Sequence, residues 1–148
     1  MWLNKIFNMK NLKISQDTAL SLYPTASPEF KKMLEETFGV EFFKPKTLFD
    51  IIKTYSDVCK QLCEPEETCP YRQLKQIERL FNGNWRKDWS NSRQNKYYPY
   101  FQYKAGVGLA FSGSCYDVSC CSGQAAYFKD REVSDFVGKI FVDIYRKL

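Results

Sequence analysis

Six cysteines, at positions 59, 63, 69, 115, 120 and 121, are the most reactive side chains of this 148-residue sequence, and no histidine accompanies them. A cysteine or serine nucleophile needs a neighbouring base, so the usual triads and dyads are missing. Paired carboxylates are formally available, but the Asp and Glu residues fall mostly at helix caps and on helix surfaces. No glycine-rich loop precedes a Lys-Ser or Lys-Thr pair, and Gly106-Val107-Gly108 alone is too little to cradle phosphates. The expectation is therefore a protein that is not an enzyme. Four thiolates could hold zinc, yet the spacings C-x3-C-x5-C and C-x4-C-C contain no C-x-x-C knuckle. Free, reduced thiols with no metal and no cofactor are expected instead.

Binding chemistry is better represented. Residues 85 to 104 read WRKDWSNSRQNKYYPYFQYK, with two tryptophans and five tyrosines or phenylalanines threaded between lysines and arginines. The formal net charge is +5, and the stretch from Arg72 to Lys104 carries eight basic residues against Glu78 and Asp88, net +6, which leaves the remainder at −1. Basic charge and aromatic side chains thus share one segment, the pattern of a polyanion-binding surface. Tyrosines on a sheet face can stack unpaired bases while cations meet phosphates. The candidate contacts are Arg72, Lys75, Arg79, Trp85, Arg86, Lys87, Trp89, Arg93, Lys96, Tyr98 and Tyr100. Two other readings fit the same residues. The aromatics could be structural, covered by a C-terminal helix on one side and the Trp85-to-Trp89 loop on the other. They could also meet a protein partner, since Tyr, Trp and Arg dominate protein interfaces.

The elements that must position these groups can be read from caps and periodicity. Ser15 opens a short helix stopped before Pro24, and Ser27-Pro28-Glu29 opens a second that Gly39 closes. TLFDIIKTY reads as a short extended or turn segment, followed by a helix capped by Ser56 that buries Val58, Cys59 and Leu62. From Cys69 to Asn82 an amphipathic helix carries Tyr71, Leu74, Ile77 and Phe81 inward and Arg72, Lys75, Gln76 and Arg79 outward. The period then changes to that of a hairpin, with KYYPYFQYK and LAFSGS as strands and AAYF as a possible third. Pro99 marks an edge strand or a bulge. Alternation sets Tyr98 and Tyr100 outward and leans Tyr97, Phe101 and Tyr103 toward the last helix. That helix starts at Asp130 and carries Val133, Phe136, Val137, Ile140, Phe141, Ile144, Tyr145 and Leu148 on one face. The predicted fold is α+β: N-terminal helices, then a small antiparallel sheet of two to three strands packed against a long C-terminal helix.

The order of these signals resembles an uncharacterised family of small proteins encoded by phages and prophages of gut bacteria. The resemblance runs from Met9 onward, and its most specific parts are W-x-x-x-W with KYYPYF and the closing YFKDREVSDFVGKIFVDIY. Where members carry a Val-Gly-Ser-Arg-Leu-like run before the aromatic-Lys pair, this chain has CCSGQAAYFK, without the arginine. The resemblance implies phage origin and one compact domain, and it brings no catalytic residue or activity with it.

Length predicts a single domain over residues 1 to 148, with residues 1 to 8 an upstream extension or frayed tip before a second start at Met9. MWLNKIFNMKNLKIS, broken by Asn4, Lys5 and Asn8, does not have the apolar core of a signal peptide, and no later run approaches transmembrane length. The expected setting is the host cytoplasm, or the virion, with no membrane partner. The sequence thus predicts a non-enzymatic phage accessory protein that binds nucleic acid, single-stranded by preference. The alternative is a protein-interaction module for a host factor, such as an anti-defence inhibitor, or for a virion protein.

Overall fold

A computed structural model describes residues 14–148. The expected extension at residues 1 to 8 and the second start at Met9 lie outside the described residues. The fold is α+β, as the sequence predicts, and the chain divides into two compact units, one ending at Pro45 and one running from Lys46 to Leu148.

In the first unit, α1 (Gln16–Leu22) is capped by Ser15, whose Oγ accepts from the Thr18 amide at 3.2 Å. A 3-10 turn, Tyr23–Thr25, carries the chain through Pro24 into α2 (Pro28–Phe38). Ser27 caps α2 through the Phe30 amide, and Gly39 closes it at φ 85°, a conformation that favours glycine. A second 3-10 turn, Val40–Phe43, brings Phe43 into a stack with Tyr23 at 4.1 Å between ring centroids.

The second unit opens with two short capped helices, α3 (Leu48–Ile51) and α4 (Tyr55–Leu62). The segment expected to be extended or a turn is therefore helical over Leu48–Ile51. The cap of α4 is Thr54 rather than Ser56, because Asp57 stands three residues after Thr54 and its carboxylate accepts from the Thr54 amide and hydroxyl at 2.9 Å each. Helix α5 (Pro70–Asn82) buries Leu74, Ile77 and Phe81 as predicted. Tyr71 is instead 51% exposed, and Gln76 is buried. The Gln76 amide is consumed by Glu64 Oε2 at 3.0 Å, the Pro65 carbonyl at 3.2 Å and the Tyr55 hydroxyl, so a residue expected on the outer face ties α5 to α4 and to the acidic segment 64–67 between the two helices.

Strands β1 (Lys96–Lys104) and β2 (Gly108–Asp117) form an antiparallel hairpin. AAYF does not add a third strand. It makes one bridge, in which Tyr97 and Phe128 exchange amide-to-carbonyl bonds at 2.9 and 2.7 Å. Because Tyr97 spends its backbone groups on Phe128, its pair with Tyr116 is a wide one. Alternation makes Pro99 and Ser114 wide as well, so the missing proline N–H leaves no gap in the ladder. The bulge lies opposite, between Tyr100 and Phe101, where β2 carries the extra residue Ser112, and the parity of β1 is preserved. On the far edge of β2, Arg131 donates to the Ser114 carbonyl at 2.9 Å and Arg146 to the Leu109 carbonyl at 3.0 Å.

The predicted C-terminal helix is present but interrupted: α6 (Arg131–Ile140) ends at Phe141, where φ is −109° and ψ 24°, and α7 (Val142–Tyr145) follows. Val133, Val137, Phe141 and Ile144 enter the core with Ile52, Val58, Leu74, Ile77, Phe81 and Phe128. Ile140 and Leu148 stay exposed. Gly138 lets α6 approach the hairpin closely, since a Cβ there would lie 2.5 Å from Phe111 Cε2 and 2.8 Å from Pro99 Cβ. The cysteines are free thiols; Cys59 is buried, Cys115 half-buried, and Cys63, Cys69, Cys120 and Cys121 are exposed. Among the described residues no helix is long and apolar enough to cross a membrane.

Candidate nucleic-acid interface

The predicted cations fall on the outer side of α5 and on the loop that follows it, and most of them have internal partners. Arg72 lies 3.7 Å from Glu67, and Arg79 pairs with Glu64. Lys75 and Lys87 converge on one carboxylate, Glu78, at 2.8 and 2.7 Å. The Tyr127 amide donates to the same carboxylate at 3.1 Å. Burial opposes ionisation of Glu78, but these bonds outweigh it and hold the carboxyl below its ordinary range. Asn82, buried at the end of α5, donates to the Tyr127 carbonyl at 2.7 Å and accepts from the Lys129 amide at 3.1 Å, which fixes the 127–129 segment beside the helix.

After Gly83 the loop holds itself together. The Trp85 amide bonds back to the Asn82 carbonyl, and Arg86 donates to the Gly83 and Trp85 carbonyls at 3.0 and 3.1 Å. Gln94 spans the loop, accepting from the Asp88 amide and donating to the Arg86 carbonyl. Asp88 and Asn91 each accept from backbone amides two residues ahead. Arg86 and Arg93 are exposed, and neither has a carboxylate partner among the described residues.

Lys96, read from the sequence as a phosphate contact, is fully buried. Its ammonium donates to the carbonyls of Val118 at 2.6 Å and Asn91 at 3.2 Å and sits 5.1 Å from the centre of the Trp89 ring. It binds the 85–95 loop to the end of β2 and cannot meet a ligand. Trp89 and Tyr98 are likewise occupied: both make edge-to-face contacts with the buried Tyr127, at 5.2 and 5.7 Å between centroids. Lys87 lies 5.3 Å over the same ring. The Tyr127 hydroxyl donates to Asp117 Oδ2 at 2.8 Å, and burial pushes its pKa well above the ordinary phenol value. Tyr127 and Glu78 are thus the centres around which the segment is assembled. The sequence hid Tyr127 inside an apolar run, and Glu78 was legible only as an acid three residues beyond Lys75 on a basic face.

Strand parity places the two aromatic sets on opposite sides of the hairpin. On the helix side, Phe101 packs on Tyr145 at 4.6 Å, and the Arg131 guanidinium lies 5.5 Å over the Tyr97 ring. Tyr103 belongs to the same side by parity but is 81% exposed, because it extends toward the hairpin tip. On the other side, β1 presents Tyr98, Tyr100, Gln102 and Lys104 opposite Cys115, Gly113, Ala110 and Gly108. Tyr100, at 45% exposure, is the open ring of this side. Lys104 is exposed beyond it.

Of the eleven predicted contacts, Arg93 and Tyr100 stand free toward solvent. Trp85, Arg86, Lys75, Arg79 and Lys87 line a shallow cavity with Glu78, Arg86 being exposed at its rim, while Arg72 pairs with Glu67 outside it. Lys96, Trp89 and Tyr98 serve the fold. No protein-family model, curated protein or solved structure matches this chain.

Proposed function

We propose that this is a non-enzymatic nucleic-acid-binding protein, acting as a phage accessory factor in the setting the family resemblance implies, and that the open side of the hairpin takes a single strand. The observation that carries the reading is the make-up of that side. Tyr100 lies on a strip whose cross-strand neighbours are Gly113, Ala110 and Gly108, so no bulky side chain hinders a base from lying flat on its ring. Lys104 at one end and the unpaired Arg86 and Arg93 of the loop supply cations for the backbone of the strand.

The reading is tested by fluorescence anisotropy of labelled single-stranded DNA and RNA over a salt series. Three freed cations predict a slope of log affinity on log salt of about −2 for a single strand. Tyr100→Ala removes an exposed ring from a formed strand, so it leaves the fold intact and lowers affinity by about 1–3 kcal/mol. No binding at low salt to either nucleic acid refutes the proposal. A protein-interaction role, toward a host factor or a virion protein, then takes its place; it is favoured by the exposed Tyr103, Val107 and Tyr116 around the hairpin.

A further inference from the structure

The cavity between the last turns of α5 and the loop after it is lined by Lys75, Glu78, Arg79, Trp85, Arg86 and Lys87 and has a volume of about 220 Å³. That is smaller than the roughly 300–1,000 Å³ of pockets that enclose whole small molecules. It suits a group the size of a phosphate. Its charge is unbalanced: two ammonium groups share the single carboxylate of Glu78, Arg79 is matched by Glu64, and Arg86 is bonded only to carbonyl oxygens. Four cations therefore face two carboxylates. The C-terminal end of α5 contributes about half a negative charge of its own, which the Arg86 guanidinium on the Gly83 carbonyl offsets.

We propose that this cavity receives the terminal phosphate of a single nucleic-acid strand, whose following bases run onto the open side of the hairpin. The inference rests on the nucleic-acid reading above. Two features favour an end over an internal linkage. An internal phosphodiester carries one negative charge, whereas a terminal phosphomonoester carries about −1.5 to −2 at neutral pH, closer to the excess of about 1.5 positive charges left when the helix end is counted with the two carboxylates against the four cations. The half-buried Trp85 indole forms one wall of the cavity, where the sugar or first base of the end would lie. The cavity also adjoins the hairpin directly: Lys87, on its wall, lies over the Tyr127 ring, and Tyr98 packs on that ring beside Tyr100. Lys87, Tyr127 and Tyr98 thus form the contacts that lie between the cavity and Tyr100, two residues on from Tyr98 along β1.

The test compares one short labelled oligothymidylate carrying a 5′-phosphate, a 3′-phosphate or hydroxyls at both ends, bound to the full-length protein at fixed salt. One phosphorylated form binds about tenfold to hundredfold more tightly than the hydroxyl form, as expected for one or two new charge-assisted hydrogen bonds, and which form it is assigns the polarity of the strand. Arg86→Ala, at an exposed position bonded only to carbonyls, abolishes this increment, whereas Arg93→Ala, outside the cavity, lowers the affinity of all three forms alike and keeps the increment; the thermal melt of each variant, read alongside, verifies that the loop is intact. Equal binding of all three forms by the wild type overturns the proposal and leaves the nucleic-acid reading standing. Failure of all three to bind refutes that reading and this inference together.

Discussion

Lys96→Met separates a structural lysine from a ligand-binding one. The substitution keeps the length and apolar stem of the side chain and removes the ammonium, which bonds the Val118 carbonyl at 2.6 Å and the Asn91 carbonyl at 3.2 Å within contact of the Trp89 ring. The Val118 carbonyl left without a donor costs about 1–3 kcal/mol, while the Asn91 carbonyl keeps the Gln94 amide at 3.1 Å, and the lost cation–ring attraction adds about 0.5–2 kcal/mol. Relief of the burial cost of the charge returns part of this, which leaves a net destabilisation of about 1–3 kcal/mol. Urea denaturation followed by tryptophan fluorescence reads it as a lower midpoint at unchanged slope. The loss is expected to be insensitive to added salt, because the group is sealed from solvent. A Lys96→Met protein as stable as wild type, but weaker in binding oligonucleotide, would refute the reasoning. Lys96 would then be a phosphate contact and the loop would not close over it.

Two further outcomes follow from the packing and the charges. Gly138→Ala, which in an open helix would stabilise by about 1 kcal/mol, is expected to destabilise by about 1–2 kcal/mol net, because the added carbon drives into the Phe111 ring and the immobile Pro99; a thermal melt at or above the wild-type midpoint would contradict it. Acid unfolding should begin only below about pH 4.5, the ordinary value of Glu78. The carboxyls of Glu78 and Asp117 are held low by their hydrogen bonds, so their contribution is complete above the ordinary range and is lost as pH falls through the lowered folded values. Stability that rises on acidification would show the sign to be wrong.

The parts of the fold that depend on neighbours in sequence were legible. Ser15, Ser27 and Gly39 cap their helices where the residue types say they should, and β1 coincides with KYYPYFQYK. Ser56 misled because a competing pair, Thr54 with Asp57, forms the better cap. The candidate site was legible as a composition and not as a surface. Counting eight cations and two acids in one segment gives its net charge correctly. It does not reveal that Arg79 meets Glu64, that Lys75 and Lys87 share Glu78, or that Lys96 finds a carbonyl at Val118. Those partners are set by tertiary packing, and Tyr127, around which they gather, lies far along the chain from α5. Gly138 was an unread signal, since a glycine inside a helix costs about 1 kcal/mol and commonly marks a close approach.

The two arginines on the outer edge of β2 have a consequence for how this protein behaves in a crowded cell. A hairpin with a free edge is a template on which another chain can crystallise, strand upon strand. Arg131 and Arg146 occupy the Ser114 and Leu109 carbonyls from the C-terminal segment, so the docking positions at both ends of that edge are filled by the protein itself. Until α6 and α7 have docked, those two carbonyls of β2 stand open to the backbone amides of another strand, so the same contacts that seat the last helices also blunt this edge against strand addition.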